Sequence, residues 1–398
     1  MGKFLTRGTK LLVLLSGICL SAAAQDTFKV KDKFRFFSLK LHTGNHYYTG
    51  TELEDKLKNG YGSIELRYGW QSTGKAGWNA EHLYPSYGIG WYSGYIGDVD
   101  IFGSPHAFFG FITLPITHSR RNIFQVEPAL GLTYNLKPYD PETNVTNDAI
   151  GAKFAVYFSI HAGGKYRLTR EVDLLYGIDL THFSNGRTVT PNLGLNMFGI
   201  SVGGRYNFNA SQRKVDNTEH PQTVLQARPV LDYSNTRPRP IRESSLSLYQ
   251  AFGTVQNKID AGTNHRYLTS STTIEWQHKF NTKHGLSVGF DAFVDPSARD
   301  TSEYPENKEA MMVFFPGLHA GYDFLIDRLS IRLQVGYNLN STARTIKGNS
   351  YVRAAVRYEL TNRLFGQIGL KTMNGATADW IEWGLGYKVF RSVYRKSP

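Results

Sequence analysis

Between Asp179 and Asn196 the chain reads DLTHFSNGRTVTPNLGLN. His182 and Ser184 stand two residues apart, so on an extended strand they project to the same side. Their Cα atoms would then lie about 6.6 Å apart, near enough for an imidazole to bend toward a hydroxyl. A base beside a hydroxyl is the minimum equipment for nucleophilic attack on an ester carbonyl. The Asn185-Gly186 pair that follows would turn the chain, and its amides could face a developing oxyanion. Taken singly, each of these features is more often structural: His-x-Ser a pair of polar surface residues, Asn-Gly a tight turn, Pro191-Asn192 a loop breaker. Elsewhere the sequence shows no metal-ligand spacing, phosphate loop or nucleotide fingerprint, so neither a metal nor another cofactor is expected.

The element that would position the pair is a strand with period-2 alternation. Val172, Leu174, Tyr176, Ile178 and Leu180 share one face, and the same parity continues to His182 and Ser184. The other face carries Asp173, Gly177, Asp179 and Thr181, with Leu175 and Phe183. After the loop the chain returns through Phe198, Ile200, Val202, Tyr206 and Phe208, and Asn196 belongs to that outward set. His182, Ser184 and Asn196 therefore fall on one face of a hairpin, near its tip.

Alternation of this kind recurs along the whole chain. Leu329, Ile331, Leu333, Val335 and Tyr337 alternate with Arg328, Ser330, Arg332, Gln334 and Gly336. A soluble sandwich would bury the apolar face, whereas an outer-membrane barrel would turn it toward lipid and line its lumen with charge and glycine. Three features favour the barrel: segments of about ten residues, aromatic residues near their ends, and export without disulfides. Export is read from Lys3, Arg7 and Lys10, the apolar run Leu11 to Leu20, and the small residues before Gln25. A signal peptide over residues 1–24 would take the single cysteine, Cys19, with it. That run is too short to span a membrane as a helix. The formal charge of +12 falls to about +9 without the signal's basic residues. Such a surface suits an anionic partner such as phosphorylated lipid, and export argues against nucleic acid.

About sixteen strands are expected, eight from Phe34 to Phe208 and eight from Ser244 to Phe390. They are separated by a polar stretch, 209–243, containing Pro221, Pro229, Pro238 and Pro240. The first expectation is an all-β, transmembrane antiparallel barrel of sixteen strands, with halves 25–208 and 244–398; two tandem barrels of eight are the alternative. A weak echo links Leu175–Gly186 to Leu364–Gly375, with Lys371 and Met373 at the places of His182 and Ser184. Arg328, Arg332, Arg353 and Arg357 are expected to line the lumen, and Asp173 and Asp179 to join charge networks inside it. Nothing in the sequence sets an oligomeric state, a homodimer included.

From the seventh strand to Phe208 the chain resembles the lipid A 3-O-deacylase family, outer-membrane barrel esterases with a His-x-Ser-Asn motif followed by Pro-Asn-x-Gly-x-Glu. His182, Phe183, Ser184 and Asn185 match the first part; Pro191, Asn192 and Gly194 match the second at the same spacing. The resemblance implies that Ser184 is the nucleophile and His182 its general base, with Asn185, Gly186 and Asn192 as oxyanion or substrate-binding groups. It also implies a bacterial outer-membrane location and lipid A of lipopolysaccharide as the partner. Family barrels have eight strands, so the chain from Ser244 onward is additional. One position departs: Asn196 stands where the family has glutamate. An amide can orient an imidazole but cannot neutralise an imidazolium, and the same exchange in a serine triad lowers turnover about ten-thousandfold. The expected function is therefore a serine esterase removing an ester-linked acyl chain from lipid A. A non-catalytic outer-membrane barrel, channel or structural, is the alternative.

Overall fold

The computed structural model describes residues 34–73, 77–208, 231, 241–300, 313–374 and 377–395. The expected signal segment 1–24, with Cys19, and most of the stretch 209–243 lie outside the described residues. Sixteen long strands form. The first eight are β1 (Arg35–Tyr47), β2 (Tyr61–Gln71), β3 (Ser86–Tyr95), β4 (Gly103–Pro115), β5 (Asn122–Leu136), β6 (Ala155–Arg167), β7 (Val172–Ser184) and β8 (Leu195–Phe208). The second eight are β9 (Ile241–Val255), β10 (Tyr267–Lys279), β11 (His284–Val294), β12 (Phe314–Ile326), β13 (Leu329–Asn338), β14 (Ser350–Glu359), β15 (Leu364–Met373) and β16 (Thr377–Arg395).

The expected class and strand number stand, but the strands close as two cylinders of eight, the tandem arrangement, and not as one of sixteen. β8 pairs with β1 along its full length, from Arg35↔Phe208 to Tyr47↔Asn196, and β16 pairs with β9. The physical reason lies in the lumens. Glu275 on β10 reaches Arg332 on β13 at 2.8 Å and Arg357 on β14 at 3.0 Å, and Asp291 on β11 reaches Arg353 at 3.1 Å. In the first barrel Lys40 pairs with Glu65 and Glu127, and Arg67 bridges the same two acids. These groups are almost fully buried, which charges tolerate only when paired. Eight strands leave an interior that side chains can fill, whereas sixteen would enclose an aqueous channel in which such pairs could not meet.

The wall is inverted relative to a soluble core. On β13, Leu333, Val335 and Tyr337 expose 54, 57 and 50% of their surface, while Ser330, Arg332 and Gln334 between them are buried. An apolar exterior around a polar interior suits hydrocarbon outside the wall. No helix among the described residues is long and apolar enough to cross a membrane. Of the four arginines expected in the lumen, Arg332, Arg353 and Arg357 lie there, but Arg328 is exposed in the two-residue turn between β12 and β13. Asp179 joins the inner network through His42 at 3.0 Å and Tyr61 at 2.9 Å, and Asp173 accepts from Asn207 at 2.8 Å.

The echo between the halves does not survive as structure. Leu175 points into its barrel, 3% exposed, whereas its counterpart Leu364 faces outward at 36%. A shift of one residue in parity sends every side chain to the other face. Lys371 is accordingly buried and paired with Asp379 at 2.6 Å, while His182 lies on the outer wall.

Candidate active site

β7 runs toward the end of the barrel that carries the connections 48–60, 96–102, 137–154 and 185–194. The opposite end has the short turns 116–121 and 168–171, along with the longer connection 72–85. The outward parity read from the sequence holds on both strands of the hairpin. Ile178 and Leu180 on β7 and Phe198, Ile200 and Val202 on β8 are exposed, and His182 and Asn196 continue those rows toward the rim.

Register explains why a histidine and an asparagine fourteen residues apart meet. His182 is the direct cross-strand partner of Asn196, and Asn196 in turn lies opposite Tyr47 on β1. The imidazole Nδ1 is 2.7 Å from Asn196 Oδ1. Asn196 Nδ2 donates to the Tyr47 carbonyl at 3.3 Å, and that carbonyl can only accept, so the amide must present its oxygen to the ring. Nδ1 therefore carries the proton and Nε2 keeps its lone pair, the tautomer a general base needs. The ten-thousandfold penalty for an amide in serine triads arises from the wrong tautomer. Here the tautomer is right, and what Asn196 lacks is only the negative charge.

Ser184 shares the outward parity but is covered, 7% exposed. Its Oγ accepts from the Gly186 amide at 3.1 Å and from Asn192 Nδ2 at 2.9 Å. Asn192 also donates to the Gly186 carbonyl and, through Oδ1, accepts from the Asn185 amide at 3.3 Å. Gly186 and Asn192 thus stand directly at the hydroxyl, while the Asn185 amide braces Asn192; the Asn185 side chain accepts from the Val189 amide at 3.4 Å and shapes the turn. Among the described residues His182 and Ser184 share no hydrogen bond. Both pack against Gly194: a β-carbon there would lie 3.0 Å from His182 Cε1 and 3.5 Å from Ser184 Cβ, so only glycine fits beside them. Gly194 also has φ +76°, a conformation that only glycine adopts freely. The loop is held on its return by Leu193 and Gly194, whose amides donate to the carbonyls of Asp148 and Ala149, each at 3.0 Å.

No motif in the chain marks the contact between the second barrel and this loop. Arg187 Nη2 lies 2.8 Å from Asp295 and 3.3 Å from Asp379, and the Thr190 amide donates to Gln256 Oε1 at 2.8 Å. These partners are distant in sequence and fall on no motif, so only the folded chain brings them together.

Fold and cluster define a class: antiparallel membrane-type β-barrels whose polar cluster sits on the outer wall near one rim instead of inside the lumen. The chain belongs to the lipid A 3-O-deacylase family. Residues 60–205, which hold His182, Ser184, Asn185, Gly186, Asn192 and Asn196, match the family model described as lipid A 3-O-deacylase (PagL), and residues 244–392 match the acyloxyacyl hydrolase C-terminal domain. No curated protein matches the chain. Among solved structures it is similar to the toluene transporter TodX of P. putida, at 10% identity over 91% of this chain and 89% of that one, with a TM-score of 0.16. It is also similar to OccK3 (OpdO) of Pseudomonas aeruginosa, at 10% identity over 91% and 96%, with a TM-score of 0.21.

Proposed function

We propose that this protein is a bacterial outer-membrane serine esterase that removes an ester-linked acyl chain from lipid A. Ser184 Oγ attacks the ester carbonyl while His182 Nε2 takes its proton. Gly186 N–H and Asn192 Nδ2, already aimed at the hydroxyl, stabilise the oxyanion of the tetrahedral intermediate. The intermediate collapses, the sugar alkoxide leaves with the proton from His182, and an acyl-serine remains. Water, deprotonated by His182, then releases the fatty acid and restores Ser184. The His182–Ser184 hydrogen bond forms as substrate binds, since catalytic hydrogen bonds are commonly long or unmade before the substrate complex.

The observation that carries this reading is the His182–Asn196–Tyr47 chain, which fixes the basic tautomer on the same wall as Ser184. The surroundings support a lipid substrate. The row of Leu180, Phe198 and Ile200 leads to the pair from the hydrocarbon side. A cavity of about 410 Å³ at the same rim is lined by Lys153 and Arg266, neither in an ion pair among the described residues, and suits phosphate groups of the headgroup. A channel draws no support from lumens filled by buried ion pairs.

The test compares lipid A mass spectra from cells expressing the wild type, Ser184→Ala and His182→Ala. Loss of one acyl chain with the wild type alone is expected. Identical spectra for all three would leave a non-catalytic barrel.

A further inference from the structure

The segment between Ser184 and Asn192 is tied to the second barrel through Arg187, Thr188 and Thr190. Arg187 places its guanidinium between Asp295 and Asp379, whose side chains are wholly buried, and adds a hydrogen bond to Ser297 Oγ at 3.3 Å. Lys347 reaches the same two acids at 2.5 and 2.7 Å, and Lys371 reaches Asp379 at 2.6 Å, so the acids are fully compensated. The Arg187 carbonyl accepts from the Gln256 amide at 2.8 Å, and Gln256 Oε1 takes the Thr190 amide. Thr190 Oγ1 donates to the Asn257 carbonyl at 2.9 Å, and Arg266 donates to the Thr188 carbonyl at 3.1 Å. Gln256 is itself immobilised: its Nε2 donates to the carbonyls of Asp260, Thr263 and His265 at 3.0, 3.0 and 3.2 Å. Gly186, with φ +66°, would place a β-carbon 3.0 Å from Ile381 Cγ1, so the second barrel also closes over the turn itself.

From these contacts we infer that the second barrel is a brace for the reaction loop of the first. Gln256, Asp295 and Asp379 hold Arg187 and Thr190, and thereby fix the adjoining Gly186 amide against Ser184. Arg187 and Gln256 are positioning residues; neither touches the reacting atoms. This rests on the esterase reading, because the amide being positioned is the proposed oxyanion donor. A ten-residue surface loop with left-handed glycines at 186 and 194 would otherwise sample many conformations, and a misplacement of about 1 Å at such a donor costs on the order of a hundredfold in rate. It also gives the additional barrel, whose own face carries no His-x-Ser pair, a part in the chemistry.

The experiment joins amide hydrogen exchange with kinetics on the full-length wild type, Arg187→Ala, Arg187→Lys and Gln256→Ala, each first checked for the heat-modifiable gel mobility of a closed barrel. Amides of residues 186–190 are expected to exchange at least about tenfold faster in Arg187→Ala and Gln256→Ala, with kcat on micellar lipid A lower by roughly tenfold to a hundredfold and KM within about twofold. Arg187→Lys should recover most of both losses. A loop that stays protected with unchanged kcat in folded Arg187→Ala and Gln256→Ala would overturn the brace. Exchange is read without turnover, so an inactive wild type would overturn the esterase reading and leave the brace to be decided by the exchange data.

Discussion

At the scale of residues, the difference between an amide and a carboxylate beside His182 is electrostatic and not tautomeric. Replacing Asn196 by leucine removes control of the ring, and kcat should fall by about a hundredfold or more. Asn196→Glu supplies the missing charge to the imidazolium and should raise kcat by about tenfold, read as fatty acid released from lipid A. Gly194→Ala tests the close packing of base and hydroxyl against this glycine. Its methyl would press on His182 at 3.0 Å in a left-handed backbone, so activity should drop at least tenfold while the barrel loses about 1 kcal/mol of stability. The sequence already showed the types, parity and spacing of His182, Ser184 and Asn196, because alternation on a strand is local physics. It could not show which way the Asn196 amide turns, since that is set by a carbonyl on β1.

At the scale of elements, the two hairpin strands place the site and the loop finishes it. The bridge from Arg187 to Asp295 gives this loop a pH dependence. Burial alone would push the Asp295 carboxyl up, but the Lys347 ammonium and the Arg187 guanidinium outweigh it and hold it below the usual carboxylate range. A depressed folded value means that the contribution is present above the unfolded value, about 3.9, and is lost as pH falls through the folded one. Exchange protection of residues 186–190, corrected for intrinsic rates, should therefore persist from pH 7 to pH 5 and collapse only in strong acid. Inside the second barrel, Glu275→Gln leaves Arg332 and Arg357 without their shared carboxylate. Breaking a buried pair this way costs about 3–5 kcal/mol, visible as a lower temperature for loss of the compact gel form. Strand positions were legible from periodicity; Arg328 was not, because the alternation of β13 extends one residue back into the turn, before pairing begins at Leu329.

At the scale of the whole molecule, strand number came from the sequence but closure did not. Periodicity counts strands without saying which edge meets which, and the echo between Leu175–Gly186 and Leu364–Gly375 compares strands that face opposite ways. The lumen pairs decide for two cylinders, since charges on β10 and β14 must meet across the interior. Two closed barrels joined by rim contacts divide the proposed roles: the first carries the candidate site, and the second is the proposed brace for its loop. Acid quenching of purified protein after brief exposure to lipid A, followed by mass spectrometry of its peptides, reads the proposed covalent step itself. A fatty-acyl adduct on Ser184, absent in His182→Ala, is expected; fatty acid released with no adduct, and undiminished in Ser184→Ala, would rule out Ser184 as the nucleophile.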